Sequence, residues 1–142
     1  MLDLPQAVLL DTSVLLRLFV AHDDELQTAV PEIQRAWQDD RLQLVLLDLS
    51  LYELVNVAVR RLGFDAPRAR RAVADVYRLD APVVAVDRQL ASDAAGIAVD
   101  EGLSGYDAAF AAAARRVGVA LLTADRRLAE LDGSIALASL VA

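Results

Sequence analysis

The chain has 142 residues, of which 56% are hydrophobic, and a formal net charge of −7. This length suits one domain with a substantial core, and the hydrophobic content argues against disorder. No stretch of about eighteen residues is free of charge, which disfavours a transmembrane helix, and Asp3 and Asp11 interrupt the region where a signal peptide needs an apolar core. We therefore predict a single soluble, cytoplasmic domain over residues 1–142.

The residue types that are missing exclude several kinds of catalysis. There is no cysteine, and all fourteen basic residues are arginine, so thiol, Schiff-base and P-loop lysine chemistry are excluded. The single histidine, His22, lies beside Asp23 and Asp24 in a polar turn, and no GxSxG motif accompanies it. Hydrolytic chemistry in this chain would therefore rest on carboxylates, with a bound metal.

The first half of the chain alternates apolar runs with helical patterns. Within Val8–Val20 an apolar run ends at Asp11, two hydroxyl residues follow, and a helical spacing of apolar residues comes next. This pattern predicts a buried strand, a polar turn and a helix. We also predict a helix over 24–39, in which Pro31 marks a kink or a new first turn, a strand over 42–47, a helix over 48–62 ended by Gly63, and a helix over 65–79.

The second half continues the alternation. We predict a strand over 82–86, helices over 88–100 and 104–117 ended by Gly102 and Gly118, a strand over 119–122, a short helix with Leu128 and Leu131 inward, and a fifth strand over 135–140. Strands that alternate with helices and read as continuous apolar runs are typical of parallel sheets. The pattern therefore predicts a parallel α/β sheet of about five strands sandwiched between helices.

Four acidic residues fall where this fold would bring them together. Asp11 and Asp125 each follow an apolar strand, whereas Glu53 and Asp107 lie in the first turns of helices. In a parallel sheet, the strand ends and the following helix starts share one edge. Carboxylates gathered there repel one another unless they are protonated or bridged by a cation, and an all-oxygen cluster suits Mg²⁺ or Mn²⁺. Such an ion would activate water towards a phosphoryl group.

Each acid also has a structural interpretation. The segments 50–53 and 104–107 both match the capping box, a serine followed three residues later by an acid. Asp125 could cap the short helix after it, and Asp11 or Thr12 could cap the first helix. Taken singly, these acids do not establish a site.

Four motifs in a fixed order resemble one known family. They are LLDTSVL at 9–15, ELVN at 53–56, YDA at 106–108 and LTADR at 122–126. The set resembles PIN domains, and most of all the toxins of VapBC-type toxin–antitoxin systems, over nearly the whole chain. The resemblance implies a Rossmann-like α/β/α fold and a Mg²⁺- or Mn²⁺-dependent ribonuclease that hydrolyses RNA phosphodiester bonds.

The resemblance also implies roles for individual residues and partners. Motif matching makes Asp11, Glu53, Asp107 and Asp125 the catalytic and metal-binding acids, with Thr12, Ser13 and Thr123 as supporting hydroxyls and Asn56 as a further supporting residue one turn from Glu53. The implied partners are an RNA substrate, a cognate antitoxin protein with a basic residue that reaches the acidic site, and a second copy of the chain in a homodimer.

Three alternatives stay open beside the toxin. The chain could be a stand-alone PIN-domain nuclease, a catalytically inactive PIN-like interaction module, or a metal-dependent phosphatase. The complete acidic set argues against the inactive module. A haloacid-dehalogenase-type phosphatase would require an Asp-x-Asp pair after the first strand, and position 13 is Ser.

A basic cluster lies on two successive predicted helices. It comprises Arg60, Arg61, Arg68, Arg70, Arg71 and Arg78. One interpretation is a solvated face on which Arg71 pairs with Asp75. The other is a track for RNA phosphates beside the acidic site, and the sequence does not decide between them.

Overall fold

Five short parallel strands form one sheet in the order β3-β2-β1-β4-β5 in the computed structural model, which describes residues 3–141. The strands are β1 (Ala7–Leu10), β2 (Gln43–Leu47), β3 (Val83–Val84), β4 (Ala120–Thr123) and β5 (Ser134–Ala136). The helices are α1 (Thr12–Phe19), α2 (Val30–Gln38), α3 (Leu49–Arg60), α4 (Ala66–Tyr77), α5 (Arg88–Glu101), α6 (Gly105–Val117) and α7 (Arg126–Ala129). The predicted parallel α/β fold is confirmed.

The central strand β1 contributes to hydrophobic cores on both faces of the sheet. Val8 and Leu10 belong to one core, and Leu9 belongs to the other. This follows from the pleat of a strand, which points successive side chains to opposite faces. The first core includes Val14 and Leu15 of α1. The second contains the buried face of α5 and most of α6.

Helix α6 is buried along almost its entire length. Every residue over 108–114 is buried, and six of these seven residues are alanine. Small side chains let a helix approach its neighbours closely, and α6 packs mainly against α5. Only the two ends of α6 therefore reach solvent, and its first turn carries Asp107.

Two predicted boundaries change in the structure. The predicted strand over 135–140 is wrong after Ala136, because β5 ends there and a 3-10 helix follows over Leu137–Leu140. Ala136 pairs with Thr123, the last residue of β4, so the sheet offers no further partner. In the predicted helix over 24–39, a 3-10 helix (Glu25–Ala29) precedes α2, and Pro31 lies in the first turn of α2.

Helical spacing predicts that Leu62, Tyr106 and Val117 face the core, but all three are exposed. Leu62 lies beyond the last residue of α3, and Val117 is the last residue of α6. Tyr106 is in the first turn of α6, where the helix projects past the packed layer. Helix ends extend beyond the core, so periodicity overestimates burial there.

Within residues 3–141, none of the helices combines the length and the apolar character that crossing a bilayer requires.

Candidate active site

The four acids predicted from the sequence lie at the carboxyl edge of the sheet. Asp11 directly follows β1, and Asp125 follows β4, which pairs with β1. Glu53 is in the first turns of α3, which follows β2 on the other side of β1, and Asp107 is in the first turn of α6. Adjacent parallel strands end at the same edge, so the topology brings the acids to one region.

Asp11 is buried, and both of its carboxylate oxygens accept hydrogen bonds. Oδ1 accepts from the hydroxyl of Ser13 and from the backbone N–H of Val14 at 3.2 Å, whereas Oδ2 accepts from the hydroxyl of Thr123. The bond from Val14 makes Asp11 the N-cap of α1. The same carboxylate is therefore both a helix cap and the centre of a polar cluster.

The two hydroxyls that contact Asp11 also fix the loop that carries Asp125. Ser13 Oγ accepts from the N–H of Ala124 at 3.0 Å, and Thr123 Oγ1 accepts from the N–H of Asp125 at 2.9 Å. Both hydroxyls thus donate to one acid while accepting from the loop of another. The structure places Ser13 and Thr123 beside Asp11, and their supporting role in the site stays a prediction.

Asp125 caps α7, as one interpretation of the sequence suggested. Its Oδ1 accepts from the backbone N–H groups of Arg127 at 2.8 Å and Leu128 at 3.1 Å. The cap fixes one oxygen of the carboxylate at the sheet edge.

The carboxylate of Glu53 accepts a hydrogen bond from a hydroxyl of α1 rather than from the first turn of its own helix, α3. Its Oε1 accepts from the hydroxyl of Thr12 at 3.0 Å, and that hydroxyl lies 3.5 Å from Ser50 Oγ. The capping-box interpretation of segment 50–53 is wrong, because α3 begins at Leu49 and Ser50 is fully buried inside the helix. Glu53 is therefore not explained as part of a helix cap.

Asp107 does belong to a helix cap. Its backbone N–H donates to the hydroxyl of Ser104 at 3.1 Å, and Ser104 is the N-cap of α6. The serine half of the predicted capping box is confirmed at this position. It accounts for the backbone of Asp107 and leaves open what its half-exposed carboxylate does.

Three of the acids have raised pKa values, and their charges are coupled. Burial raises the pKa of Asp11, against the opposing hydrogen bonds from Ser13 and Thr123. Burial raises the pKa of Glu53, and the charges of Asp11 and Asp107 raise it further. Burial and then the charge of Asp125 raise the pKa of Asp107. Charge repulsion therefore acts between Glu53 and both Asp11 and Asp107, and between Asp107 and Asp125.

Comparison with known proteins decides the family. Residues 8–134 match the family model described as PIN domain. The chain belongs to the PIN-domain family. The fold and the order of the acidic motifs agree with this assignment.

Individual relatives of this PIN domain extend the comparison. Ribonuclease VapC3 from Pyrobaculum aerophilum is 30% identical over 129 residues, which cover 87% of this chain and 92% of the relative. The solved structure of PAE2754 from Pyrobaculum aerophilum is 28% identical with a TM-score of 0.66, over 95% of this chain and 92% of that one. A toxin–antitoxin complex from Klebsiella pneumoniae, 18% identical, has a TM-score of 0.67 over 92% of this chain and 97% of that one, and shows the fold alone.

The acidic edge of this PIN domain fits a hard divalent cation in its donor chemistry. In the described residues, no three acidic or histidine side chains are placed closely enough to hold one ion as they stand. The donors are nevertheless all oxygen, and burial, followed by the charges of neighbouring acids, raises the pKa values of Glu53 and Asp107. A cation would relieve that repulsion, and carboxylate oxygens are the ligands that Mg²⁺ and Mn²⁺ prefer.

Arg127 is a residue of the site that the sequence analysis missed. Its guanidinium donates to the backbone carbonyl of Gly102, and its charge partly offsets the raised pKa of Asp107. It thereby ties α7 to the loop that leads into α6. No sequence signal other than its place two residues after Asp125 points to this contact.

Asn56 lies on the surface of α3, one turn after Glu53. Among the hydrogen bonds of residues 3–141, none joins the Asn56 side chain to Glu53. Its supporting role therefore stays a prediction.

The basic cluster lies along α3 and α4, which pack against each other. The predicted Arg71–Asp75 pair is replaced by an ion pair between Arg78 and Asp75 at 3.1 Å. Arg68 stacks over the ring of Phe64 at 4.3 Å from its centroid. These local contacts occupy two of the arginines, and the RNA-track interpretation stays a prediction.

Proposed function

We propose that this PIN domain is a Mg²⁺- or Mn²⁺-dependent ribonuclease and the toxin of a type II toxin–antitoxin system. The observation that supports it most is the placement of four acids at the carboxyl edge of the sheet, where the ends of β1 and β4 meet the first turns of α3 and α6. These acids are Asp11, Glu53, Asp107 and Asp125. The similarity to Ribonuclease VapC3 supports RNA as the substrate.

Each acid has a role in this proposal. Asp11, Asp107 and Asp125 would hold the cation, directly or through water, and Glu53 would hold it or orient the attacking water. When bound, the cation supplies a water of lowered pKa and stabilises charge on the phosphoryl group.

The remaining groups of the site keep the acids in place. The hydroxyls of Ser13 and Thr123 fix the carboxylate of Asp11, and the hydroxyl of Thr12 fixes Oε1 of Glu53. Glu53 Oε2 is the oxygen that we assign to the attacking water. Because water and not the 2′-hydroxyl attacks, the products would carry 5′-phosphate and 3′-hydroxyl ends.

Cleavage of a panel of transfer and ribosomal RNAs tests this function. We expect cleavage with Mg²⁺ or Mn²⁺, none in excess EDTA, and none by an Asp11→Asn variant. Cleavage that persists in EDTA, or ends that carry 2′,3′-cyclic phosphate, would contradict the mechanism. Parallel assays with small phosphate esters separate a nuclease from a phosphatase, and a folded protein that cleaves neither substrate would be the inactive interaction module.

The proposal includes a small antitoxin and a homodimer in the cytoplasm. The resemblance of the four motifs to VapBC-type toxins supports the partner, and an acidic site attracts a basic anchor. We expect a peptide with one arginine near its C-terminus to inhibit cleavage in competition with RNA, and light scattering to give the mass of a dimer. A chain whose expression leaves growth unaffected and that binds no such peptide would be a stand-alone nuclease.

A further inference from the structure

Arg127 joins two acid-bearing segments of the site through a chain of hydrogen bonds. Its backbone N–H donates to Oδ1 of Asp125 at 2.8 Å, and its guanidinium donates to the backbone carbonyl of Gly102. Gly102 begins the short loop between α5 and α6, and the last residue of that loop, Ser104, accepts from the N–H of Asp107 at 3.1 Å. A single arginine therefore connects the loop after β4 with the start of α6.

The guanidinium of Arg127 lies against the backbone at the end of α5. Gly102 is the C-cap of α5, with a φ of +66°, and a Cβ added there would lie 3.6 Å from Nη2 of Arg127. A cation at the last carbonyls of a helix is favourable in itself, because these carbonyls form the negative end of the helix dipole. One interpretation of the contact is therefore a cap that stabilises α5 and nothing more.

The connections of the four acids favour a second interpretation. Hydroxyl groups of α1 and of the end of β4 hold the other three acids or their loops. Among the hydrogen bonds of residues 3–141, only the guanidinium bond of Arg127 joins the loop after β4 to segment 102–107. The rest of α6 is held by the packing of 108–114, in which all residues but one are alanine. Uniformly small side chains fix a helix along its axis less firmly than interlocking ones, so the first turn with Asp107 needs a contact of its own.

We propose that Arg127 is a positioning residue, which holds Asp107 at the distance from Asp125 at which both carboxylates bind one cation. This inference rests on the proposed function, since it requires a cation that these acids share. It assigns Arg127 no contact with the cation itself. The hydrogen bond to the Gly102 carbonyl carries the effect, through the loop between α5 and α6.

Positioning and charge predict opposite effects on metal affinity. A guanidinium near the acids repels Mn²⁺, so its removal should tighten Mn²⁺ binding if only its charge matters. If Arg127 positions Asp107, its removal should weaken Mn²⁺ binding, because one ligand is no longer held in place. The sign of the change therefore distinguishes the two.

Isothermal titration calorimetry of the RNA-free protein with Mn²⁺ measures this sign without any cleavage. Arg127→Met keeps the apolar stem and removes the donor, and we expect it to weaken Mn²⁺ binding by about tenfold, as loss of a group that orients a metal ligand typically does. Arg127→Lys keeps a donor for the same carbonyl and should bind Mn²⁺ nearly as well as the wild type.

Arg126→Met is the matched control. Arg126 is the neighbouring residue on α7 and is exposed, and the hydrogen bonds and ion pairs found within residues 3–141 do not include its side chain. The substitution removes the same charge without removing a contact, so Mn²⁺ should bind at least as tightly as to the wild type. Melting temperatures in EDTA show whether every variant is folded and how much stability the cap on α5 provides.

The outcomes separate this inference from the function on which it rests. Arg127→Met binding Mn²⁺ as tightly as Arg126→Met would overturn the inference alone, and a lower melting temperature would then make Arg127 a cap of α5. Arg127→Lys binding as weakly as Arg127→Met would also overturn it, since donation to the carbonyl would not restore the site. A wild type that binds Mn²⁺ but cleaves no RNA would overturn the proposed function, and the affinities would still decide the role of Arg127. A wild type that binds no Mn²⁺ would overturn both.

Discussion

The hydroxyl of Thr12 donates a hydrogen bond to Oε1 of Glu53 at 3.0 Å, across 41 positions of sequence. This bond joins the first residue of α1 to α3, the helix after β2. It lowers the pKa of Glu53, whereas burial and the neighbouring charges raise it. Thr12 thus favours the ionised form of the carboxylate and fixes one of its oxygens.

Removing this hydroxyl tests the contact. We expect Thr12→Val to lower the cleavage rate by about tenfold to a hundredfold, the usual cost of losing a group that orients a metal-site residue. Thr12→Ser keeps the hydroxyl and should retain most of the activity. Single-turnover rates at saturating metal measure the difference. Equal rates for the valine and serine variants would show that Glu53 does not need this bond.

Variants of Asp107 and Ser104 distinguish charge repulsion at the site from capping of α6. Asp107→Asn removes a carboxylate whose pKa is raised by burial and by the charge of Asp125. Because this removes the repulsion from the neighbouring acids, the variant should raise the melting temperature of the metal-free protein at low salt. Ser104→Ala removes the cap on the N–H of Asp107 and should cost about 1 kcal/mol of stability.

The response to Mn²⁺ provides the second readout of this comparison. Mn²⁺ should raise the melting temperature of the wild type and of Ser104→Ala, because both keep the four carboxylates. The rise should largely disappear in Asp107→Asn. A destabilised Asp107→Asn protein with a normal Mn²⁺ response would make Asp107 a helix-start residue only.

Asn56→Ala tests the supporting residue on the exposed face of α3. The side chain is on the surface, so unfolding by heat should change little. If Asn56 orients Glu53 or the substrate, cleavage should fall by about tenfold to a hundredfold. Rates and melting temperatures measured on the same preparations make the comparison, and unchanged turnover would remove Asn56 from the site.

The ion pair between Arg116 and Asp87 predicts a pH dependence away from the site. Two guanidinium nitrogens of Arg116 donate to the two carboxylate oxygens of Asp87, both at 2.9 Å, and this pairing lowers the pKa of Asp87 from 3.8 to about 2. An acid with a lowered pKa in the folded state contributes stability above its unfolded pKa, and that contribution is lost as the pH falls through the folded value.

Asp87→Asn tests this dependence, because asparagine can still cap the N–H of Leu90 that Asp87 caps at 2.8 Å. We expect the variant to melt below the wild type at pH 7, with the difference shrinking as the pH falls from about 4 to about 2. Arg116→Met should show the same trend, and the double variant should be little worse than either. A difference that does not depend on pH would show that the charge contributes nothing.

The sequence alone predicted the fold and the order of its elements. Apolar runs, the glycines after α5 and α6, and the N-cap serine of α6 act over a few neighbouring residues, so their patterns are visible locally. The same patterns placed Asp11, Glu53, Asp107 and Asp125 near element ends. Parallel topology then made a shared edge the expectation, and the family resemblance supplied their chemistry.

Only the tertiary structure decided which side chains meet at that edge. The hydrogen bond from Thr123 to Asp11 spans 112 positions, and the bond from Arg127 to the Gly102 carbonyl joins α7 to the loop between α5 and α6. Ser50 matched a cap in sequence but is buried inside α3 beside Thr12. Such contacts depend on how helices and strands that are distant in sequence pack together. The spacing of residues along one helix or strand does not encode that packing.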